Sequence, residues 1–203
     1  MNTDGLDLLR ARRSVRKFTC DPVDKTMVSG LVELAAWAPS ASNRQDWHFT
    51  AVFSAELKHA MAEAVRARWR EIIEVNRNLG FIQEMERYST SFGDFERAPV
   101  VIAVAARRVD SVRRQMFGDA AAATVGGATS AAMAAQNLML AATAHGLGSC
   151  CMTGALAAGN ELTRLLGLGK RMDLVCLIAL GWPAEAPAPP PRKQLNEVLR
   201  MIE

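Results

Sequence analysis

The sequence predicts an α+β fold, a sandwich of helices and strands rather than a doubly wound parallel sheet. The chain has 203 residues, half of them hydrophobic, which is enough to bury the core of one domain. Predicted helices outnumber predicted strands, and single helices do not separate successive strands as they do in a parallel α/β sheet. We therefore expect residues 1–203 to form a single domain.

The N-terminal elements follow from the spacing of apolar residues. Leucines near the start predict a short helix that ends near Arg12 and Arg13, and the next stretch, SVRKF, is expected to be extended. Apolar residues on one face predict a helix over 24–37, which Pro39 stops. Ser54 is a candidate N-cap for a longer helix, AELKHAMAEAVRARWREIIEV.

Three segments are typical of strands: DWHFTAVF, APVVIAVAARR and MDLVCLIALGWP. The second is apolar at nearly every position, which places it in the centre of a sheet with both faces covered. Residues 119–147 are dominated by Ala, Gly, Ser and Thr and carry Gln136 and Asn137 in the middle. Such a composition favours a buried helix packed closely on a neighbour or on a second copy of itself over a membrane span.

Two segments do not fit the regular pattern. Residues 75–98 mix aromatic and charged side chains without a clear period, and we interpret them as a mobile flap. The proline-rich stretch that opens residues 184–203 predicts an extended tail, which is free to embrace a partner subunit.

Charge and cysteine usage limit the possible partners and location. A net charge of +3, with acidic residues interspersed, is too small for a nucleic-acid coat. The N-terminus lacks a secretory signal, and the four cysteines show no CxxC spacing, so we expect reduced thiols and a cytoplasmic protein. The three histidines lack the spacing of metal ligands.

The stretch LLRARRSVRKF, residues 8–18, concentrates basic side chains around a serine. Guanidinium groups form forked hydrogen bonds with phosphate oxygens, and a serine hydroxyl fills a remaining acceptor. The alternative is a solvated surface whose arginines compensate the C-terminus of a helix. No GxxxxGK[ST] motif and no GxGxxG after a strand is present, so a phosphate has to be held by side chains.

Four segments together resemble the nitroreductase family of FMN-dependent oxidoreductases: RRSVRKF, WAPSASNRQDWHF, AAQNLMLAATAHGLGSCCMTG and LIALGWPAEAPAPPPRK. They stand in the order and spacing of that family and span nearly the whole chain. The resemblance implies an α+β fold with a mostly antiparallel central sheet flanked by helices. It also implies a homodimer with FMN at the interface, and no nucleic-acid or membrane partner.

The resemblance assigns candidate FMN-binding residues by position. Those expected to hold the phosphate and ribityl chain are Arg12, Arg13, Ser14, Arg16 and, after the proline run, Arg192, with Lys193 as a less direct helper. Those expected to reach the flavin from the other subunit are Pro39, Ser40, Ala41, Asn43 and Gln45. Those expected beside the flavin ring are Met152, Thr153 and Gly154.

Some of these residues also have plainer interpretations. Ser40 and Asn43 are compatible with an ordinary turn. Asp46 departs from the family, whose members commonly carry proline there, which alters the local turn and charge. Cys150 and Cys151 invite a nucleophilic role, but buried cysteine is ordinarily a small apolar residue.

The function implied by the resemblance is transfer of electrons from NAD(P)H to a small flat acceptor by a ping-pong mechanism. Nitroaromatics, quinones and flavins are the expected acceptors, and no side chain is assigned as a dedicated acid or base. Specialised members that fragment flavin, dehalogenate an iodinated aromatic amino acid or dehydrogenate azoline rings are alternatives. So is a module that binds FMN without turnover.

Overall fold

The computed structural model describes residues 5–76, 78, 80, 82–83, 85, 89, 91–108, 115–116 and 127–203. The helices are α1 (Gly5–Ala11), α2 (Lys25–Ala35), α3 (Ala55–Val75), α4 (Gly127–Ala144), α5 (Gly159–Leu165) and α6 (Leu195–Val198). The strands are β1 (Trp47–Val52), β2 (Val100–Arg107), β3 (Gly148–Met152) and β4 (Met172–Gly181). Short 3₁₀ turns cover Ala41–Asn43, Asp94–Arg97 and Gly154–Ala158.

The strands form one antiparallel sheet in the order β1-β2-β4-β3. Ile102 of β2 lies opposite Ile178 of β4, and Cys150 of β3 lies opposite Ala179. Strand β2 is central and buried over nearly its whole length. The predicted α+β fold with a mostly antiparallel sheet is confirmed.

Helices cover both faces of the sheet. On one face α2 and α4 pack side chains such as Leu31 and Leu138 against Ile178. On the other face α3 and α5 pack Met61 and Leu162 into a second apolar cluster. Burying both faces explains why β2 is apolar throughout rather than alternating.

Helix α4 confirms the predicted small-residue helix over 127–144, while residues 119–126 lie outside the described part of the chain. Its alanines at 131, 134 and 142 are buried, and α2 packs closely alongside. Small side chains permit this close approach of two helix backbones. Among the residues that are described, no helix is both long and apolar enough to cross a bilayer.

Capping side chains fix the predicted starts of α2 and α3. Asp24 accepts a hydrogen bond from the amide of Thr26 at 2.6 Å, and Ser54 accepts one from the amide of Leu57 at 3.1 Å. These bonds satisfy amides that have no partner within the helix.

The sequence did not predict that Lys58, in the first turns of α3, is buried. The Lys58 ammonium group ties α3 to the start of β2. Its Nζ donates to the carbonyl of Ala98 at 2.5 Å and to that of Pro99 at 3.1 Å. Burial lowers the pKa of this ammonium group, because the low-dielectric surroundings disfavour its charged form. Hydrogen bonds to two carbonyls offset part of that penalty.

The structure describes only part of the predicted flap but all of the predicted tail. Within residues 75–98, Phe95 is buried in the 3₁₀ turn Asp94–Arg97, which packs on α3, while 77, 79, 81, 84, 86–88 and 90 lie outside the described residues. Movement of this segment stays a prediction. The tail is largely extended, and its exposed apolar side chains are Leu195, Val198, Leu199, Met201 and Ile202.

The extended stretch that follows α1 is confirmed, and it is hydrogen-bonded to the sheet at both ends. Val15 donates its amide to the carbonyl of Ser149 at 3.0 Å. Farther along, Thr19 donates to the carbonyl of Trp182 at 2.9 Å, and Ala184 donates to the carbonyl of Lys17 at 2.9 Å. The basic segment is therefore anchored beside β3 and beyond the end of β4.

The close approach at Gly181 generates a stability prediction. A Cβ atom at this position would lie 2.5 Å from Cδ of Pro99 and 3.0 Å from Cδ1 of Phe18. The proline ring is rigid, so we expect Gly181→Ala to lower the free energy of unfolding by about 1–3 kcal/mol through overpacking.

Urea unfolding followed by circular dichroism, at one protein concentration, measures this effect. Gly159→Ala is the matched control, because a Cβ atom there meets nothing within 4 Å and the backbone is helical. We expect the control to be neutral or stabilising by up to about 1 kcal/mol. Equal midpoints for the two variants would contradict the packing argument.

Candidate functional site

A cavity of about 360 Å³ opens beside the end of β3 and the basic segment. Aromatic and sulfur-containing side chains form much of its wall, with one guanidinium group at the side. The lining residues are Arg16, Phe18, Ser91, Phe92, Asp94, Phe95, Cys150, Cys151, Met152, Thr153, Gly154 and Ala179. Four of the predicted FMN-binding residues, Arg16 and the triplet Met152–Gly154, thus meet at one cavity.

Arg16 reaches the cavity because the segment that carries it is extended. Alternate residues of extended backbone face the same side, so Arg16 and Phe18 both line the cavity. Glu185 accepts hydrogen bonds from the backbone amides of Arg16, at 2.6 Å, and Lys17, at 3.1 Å. The bond from the Arg16 amide is the main cause of the lowered pKa of the Glu185 carboxyl.

Arg12, Arg13 and Ser14 lie just before this point and are half-buried. The Arg13 guanidinium donates to the carbonyl of Arg12 at 2.8 Å and also to that of Arg10. It therefore caps the C-terminal end of α1, which is the plainer role that the sequence left open. Binding of a phosphate by Arg12, Arg13 and Ser14 stays a prediction.

A buried hydroxyl lies next to this basic segment. Ser149 of β3 pairs with Ser14, and its side chain is 1% exposed. Its Oγ atom has no hydrogen-bond partner among the described residues. Buried polar atoms are almost always paired, so this hydroxyl retains unused hydrogen-bonding capacity beside the predicted phosphate-binding residues.

The wall formed by Met152, Thr153 and Gly154 is supported by two aromatic residues that sequence reasoning missed. Trp69 of α3 donates its indole N–H to the carbonyl of Gly154 at 2.9 Å. Phe92 packs on Trp69, with ring centroids 4.9 Å apart, and a Cβ atom at position 154 would lie 2.7 Å from the Phe92 ring. Trp69 follows Met61 and Val65 at helical spacing, which was a usable signal.

Pro39, Ser40, Ala41, Asn43 and Gln45 are not among the residues that line the cavity. They form a turn before β1, as the alternative interpretation of Ser40 expected. Ser40 accepts a hydrogen bond on its carbonyl from the amide of Asn43 at 2.9 Å and one on Oγ from the amide of Gln45 at 3.0 Å. Their contact with a flavin held by a second subunit stays a prediction.

Arg192 is exposed and also lies outside the cavity lining. Within the described part of the chain, its guanidinium donates to the carbonyls of Pro190 at 3.4 Å and Pro191 at 3.3 Å. The structure therefore does not bring Arg192 into the cavity with Arg16. Its predicted return to the phosphate stays a prediction, as does the helper role of Lys193.

The cysteines differ sharply in environment. All four are free thiols, as expected, and Cys150 is buried with its pKa raised by that burial. Cys151 is exposed and borders the cavity. A hydrogen bond from the Cys176 thiol lowers the pKa of Cys151 to about 7, and the positive charge of Arg12 acts in the same direction. The expectation that neither cysteine acts as a nucleophile stays a prediction.

Comparison with known proteins assigns the chain to a family. The family model described as "Nitroreductase family" matches residues 9–182. The chain belongs to the nitroreductase family. This family consists of oxidoreductases, which agrees with the resemblance carried by the four sequence segments.

Individual relatives match nearly the whole chain. The "NADH dehydrogenase" of Thermus thermophilus is 29% identical over 199 residues, covering 93% of this chain and 91% of its own. A BluB-like flavoprotein from Clostridium difficile 630 superimposes with a TM-score of 0.85 at 25% identity, covering 98% and 99% of the two chains. The FMN and NADPH-dependent nitroreductase NfnB from Sphigopyxis sp. strain HMH gives a TM-score of 0.73 at 26% identity, covering 98% and 99%.

The lowered pKa of Cys151 generates a prediction about reactivity. The thiolate is the nucleophile, so we expect the alkylation rate of Cys151 to reach half its maximum near pH 7. Alkylation by iodoacetamide between about pH 5.5 and pH 9, followed by peptide mass spectrometry, measures the rate for each cysteine separately.

Two comparisons test the stated cause. Cys150 should react slowly over the same range, because it is buried and its pKa is raised. Cys176→Ala removes the hydrogen-bond donor and should move the Cys151 midpoint to higher pH. An unchanged midpoint in Cys176→Ala would show that the thiol pair is not the cause of the shift.

Proposed function

We propose that this nitroreductase-family protein is an FMN-dependent oxidoreductase that moves electrons from NADH or NADPH to nitroaromatic, quinone or flavin-like acceptors by a ping-pong mechanism. The observation that carries the proposal is the cavity that joins Arg16 of the basic segment to the residues Met152–Gly154 after β3. These two regions were predicted from sequence to hold different parts of the same cofactor.

The residues around the cavity suit FMN. Its volume lies within the range of about 300–1,000 Å³ that is usual for small-molecule sites. Phe18 and Phe92 supply flat apolar surface for a ring system, and Arg16 supplies a guanidinium for an anion. Ser149 lies outside the cavity lining, but its unpartnered hydroxyl lies beside the basic segment. The similarity to NfnB, described as FMN and NADPH-dependent, also supports this assignment.

When bound, FMN would supply the redox chemistry that links the reduced nicotinamide to the acceptor. The protein binds and orients the reactants. Arg12 and Arg16 provide the positive potential that favours added negative charge, and residues 152–154 line the cavity in which the ring would bind. Phe92 and Trp69 hold that wall in place.

A homodimer is part of the proposal. Trp37 is 86% exposed and Leu34 is 47% exposed on or just beyond α2, and Met133 of α4 is 43% exposed. Helices α2 and α4 pack against each other, and large apolar side chains exposed on such a pair suit a surface that another chain covers. A second copy would also bring the turn at 39–45 to the flavin, as the resemblance implies.

The first experiment is spectroscopic. Purified protein, reconstituted with FMN if needed, is expected to show flavin absorbance that bleaches on anaerobic addition of NADH or NADPH. A quinone or nitroaromatic should restore the absorbance. Initial rates with both substrates varied should give parallel double-reciprocal lines, which is the kinetic signature of a ping-pong mechanism.

Substitution of Arg16 tests the assignment of the cavity. A charge-assisted hydrogen bond contributes about 1.5–3 kcal/mol, so we expect Arg16→Ala to raise the FMN dissociation constant by about 10- to 100-fold. Arg164→Ala is the control, because Arg164 is paired with Glu161 and lies away from the cavity lining.

The outcomes separate the alternatives. No FMN binding would remove the proposal, and FMN binding without oxidation of NADH or NADPH would indicate a binding module. Consumption of the flavin itself in the presence of oxygen would favour the flavin-fragmenting activity. Equal FMN affinity in Arg16→Ala and Arg164→Ala would place the cofactor elsewhere.

A further inference from the structure

The turn before β1 contains unusually strained backbone. Ser42, Asn43 and Gln45 have φ angles of 54°, 51° and 51°, although none of them is glycine. Asparagine tolerates this left-handed conformation, but serine and glutamine rarely adopt it. Such residues persist only where the surrounding structure holds them, and they concentrate at functional sites.

An ion pair spans one of these residues, Gln45. Arg44 and Asp46 flank Gln45, and Nε of Arg44 lies 2.6 Å from Oδ2 of Asp46. The pair therefore closes a short bridge over left-handed Gln45. The Asp46 and Arg44 side chains are only 15% and 26% exposed, so water screens their attraction less than at an open surface.

The sheet holds Asp46 from the other side. The Arg107 amide at the end of β2 donates to the carbonyl of Asp46 at 2.8 Å, and Nε of Arg107 lies 3.8 Å from Oδ1 of Asp46. Asp46 is the residue immediately before β1, whose Trp47 pairs with Ala106. The carboxylate thus links the strained turn to a fixed position on the sheet.

The identity of residue 46 affects the backbone conformation of the turn as well as its charge. Proline at this position would push the preceding residue toward extended backbone, which conflicts with the left-handed Gln45 observed here. The conformation of the turn and the choice of aspartate at position 46 therefore depend on each other. This chain departs from the proline that the family resemblance led us to expect.

We propose that Asp46 is a positioning residue for FMN, acting through its ion pair with Arg44. It holds the turn at 40–46 in the strained conformation that presents Asn43 and Gln45. This proposal rests on the proposed FMN-dependent function and deepens it, because it names the residue that orders the turn at 40–46, which lies outside the cavity.

The test compares FMN dissociation constants, measured by quenching of flavin fluorescence, for the wild type and three variants. Asp46→Asn keeps the shape but removes the charge, and we expect about a 5- to 10-fold weaker affinity with little change in melting temperature. Asp173→Asn is the matched control, because it breaks the exposed Arg108–Asp173 pair on the same sheet. The control should bind FMN as the wild type does.

The third variant separates positioning from a direct effect of charge. Ser42→Gly in the Asp46→Asn background replaces a strained serine with the residue that adopts positive φ freely. If the ion pair acts by holding the turn, this second change should recover FMN affinity to within about threefold of the wild type. Ser42 is not one of the predicted FMN-binding residues, so the recovery has no new contact as its cause.

Each outcome bears on one claim. If the wild type binds no FMN, the proposed function fails. If the wild type binds FMN and Asp46→Asn binds it equally well, the positioning role is wrong. Weak binding that Ser42→Gly does not recover would also overturn it, because Asp46 would then act through its charge alone. Should Asp46→Asn not fold, Arg44→Gln breaks the same pair and must weaken FMN binding to a similar extent.

Discussion

The position of the basic segment is set by backbone hydrogen bonds at its two ends, and the candidate site depends on them. Val15 is bonded to Ser149 beside β3, and Thr19 is bonded to Trp182 beyond β4. Between these anchors Arg16 has little freedom to move away from the sheet. Residues more than 130 positions apart in sequence therefore line one cavity, although no local sequence motif links them.

Glycines at the start of β3 and at the end of β4 make this anchoring possible. A Cβ atom at position 148 would lie 2.8 Å from Cβ of Val15, and one at position 181 would lie 2.5 Å from the Pro99 ring. The buried Val15 therefore occupies space that a side chain on β3 would otherwise take. Small residues here serve the approach of one backbone to another, since neither glycine has an unusual φ that would require it.

The sequence predicted elements with a clear apolar pattern. Helices α2 and α3 bury residues at helical spacing and have side-chain caps at their starts, while strands β1, β2 and β4 have apolar runs. Strand β3 was missed, because GSCCM is short, contains small residues and is stabilised by pairing with β4 that only the tertiary structure supplies. Buried Lys58 was missed for a similar reason, since the carbonyls that receive its ammonium group come from residues 40 positions away.

The sequence predicted only those parts of the candidate site that come from short continuous segments. Arg16 and residues 152–154 meet as expected, but the Trp69 support of their wall crosses from α3 and carries no motif. The strained turn is a different case, since positive φ at Ser42 and Gln45 runs against the preferences of both residues. The local preference of a residue predicts its backbone conformation where tertiary contacts favour the same conformation. The preference fails where those contacts force a different one. Here the partly buried Asp46 carboxylate supplies those contacts. A backbone conformation that the local sequence does not favour therefore points to Asp46 as the residue that orders the turn.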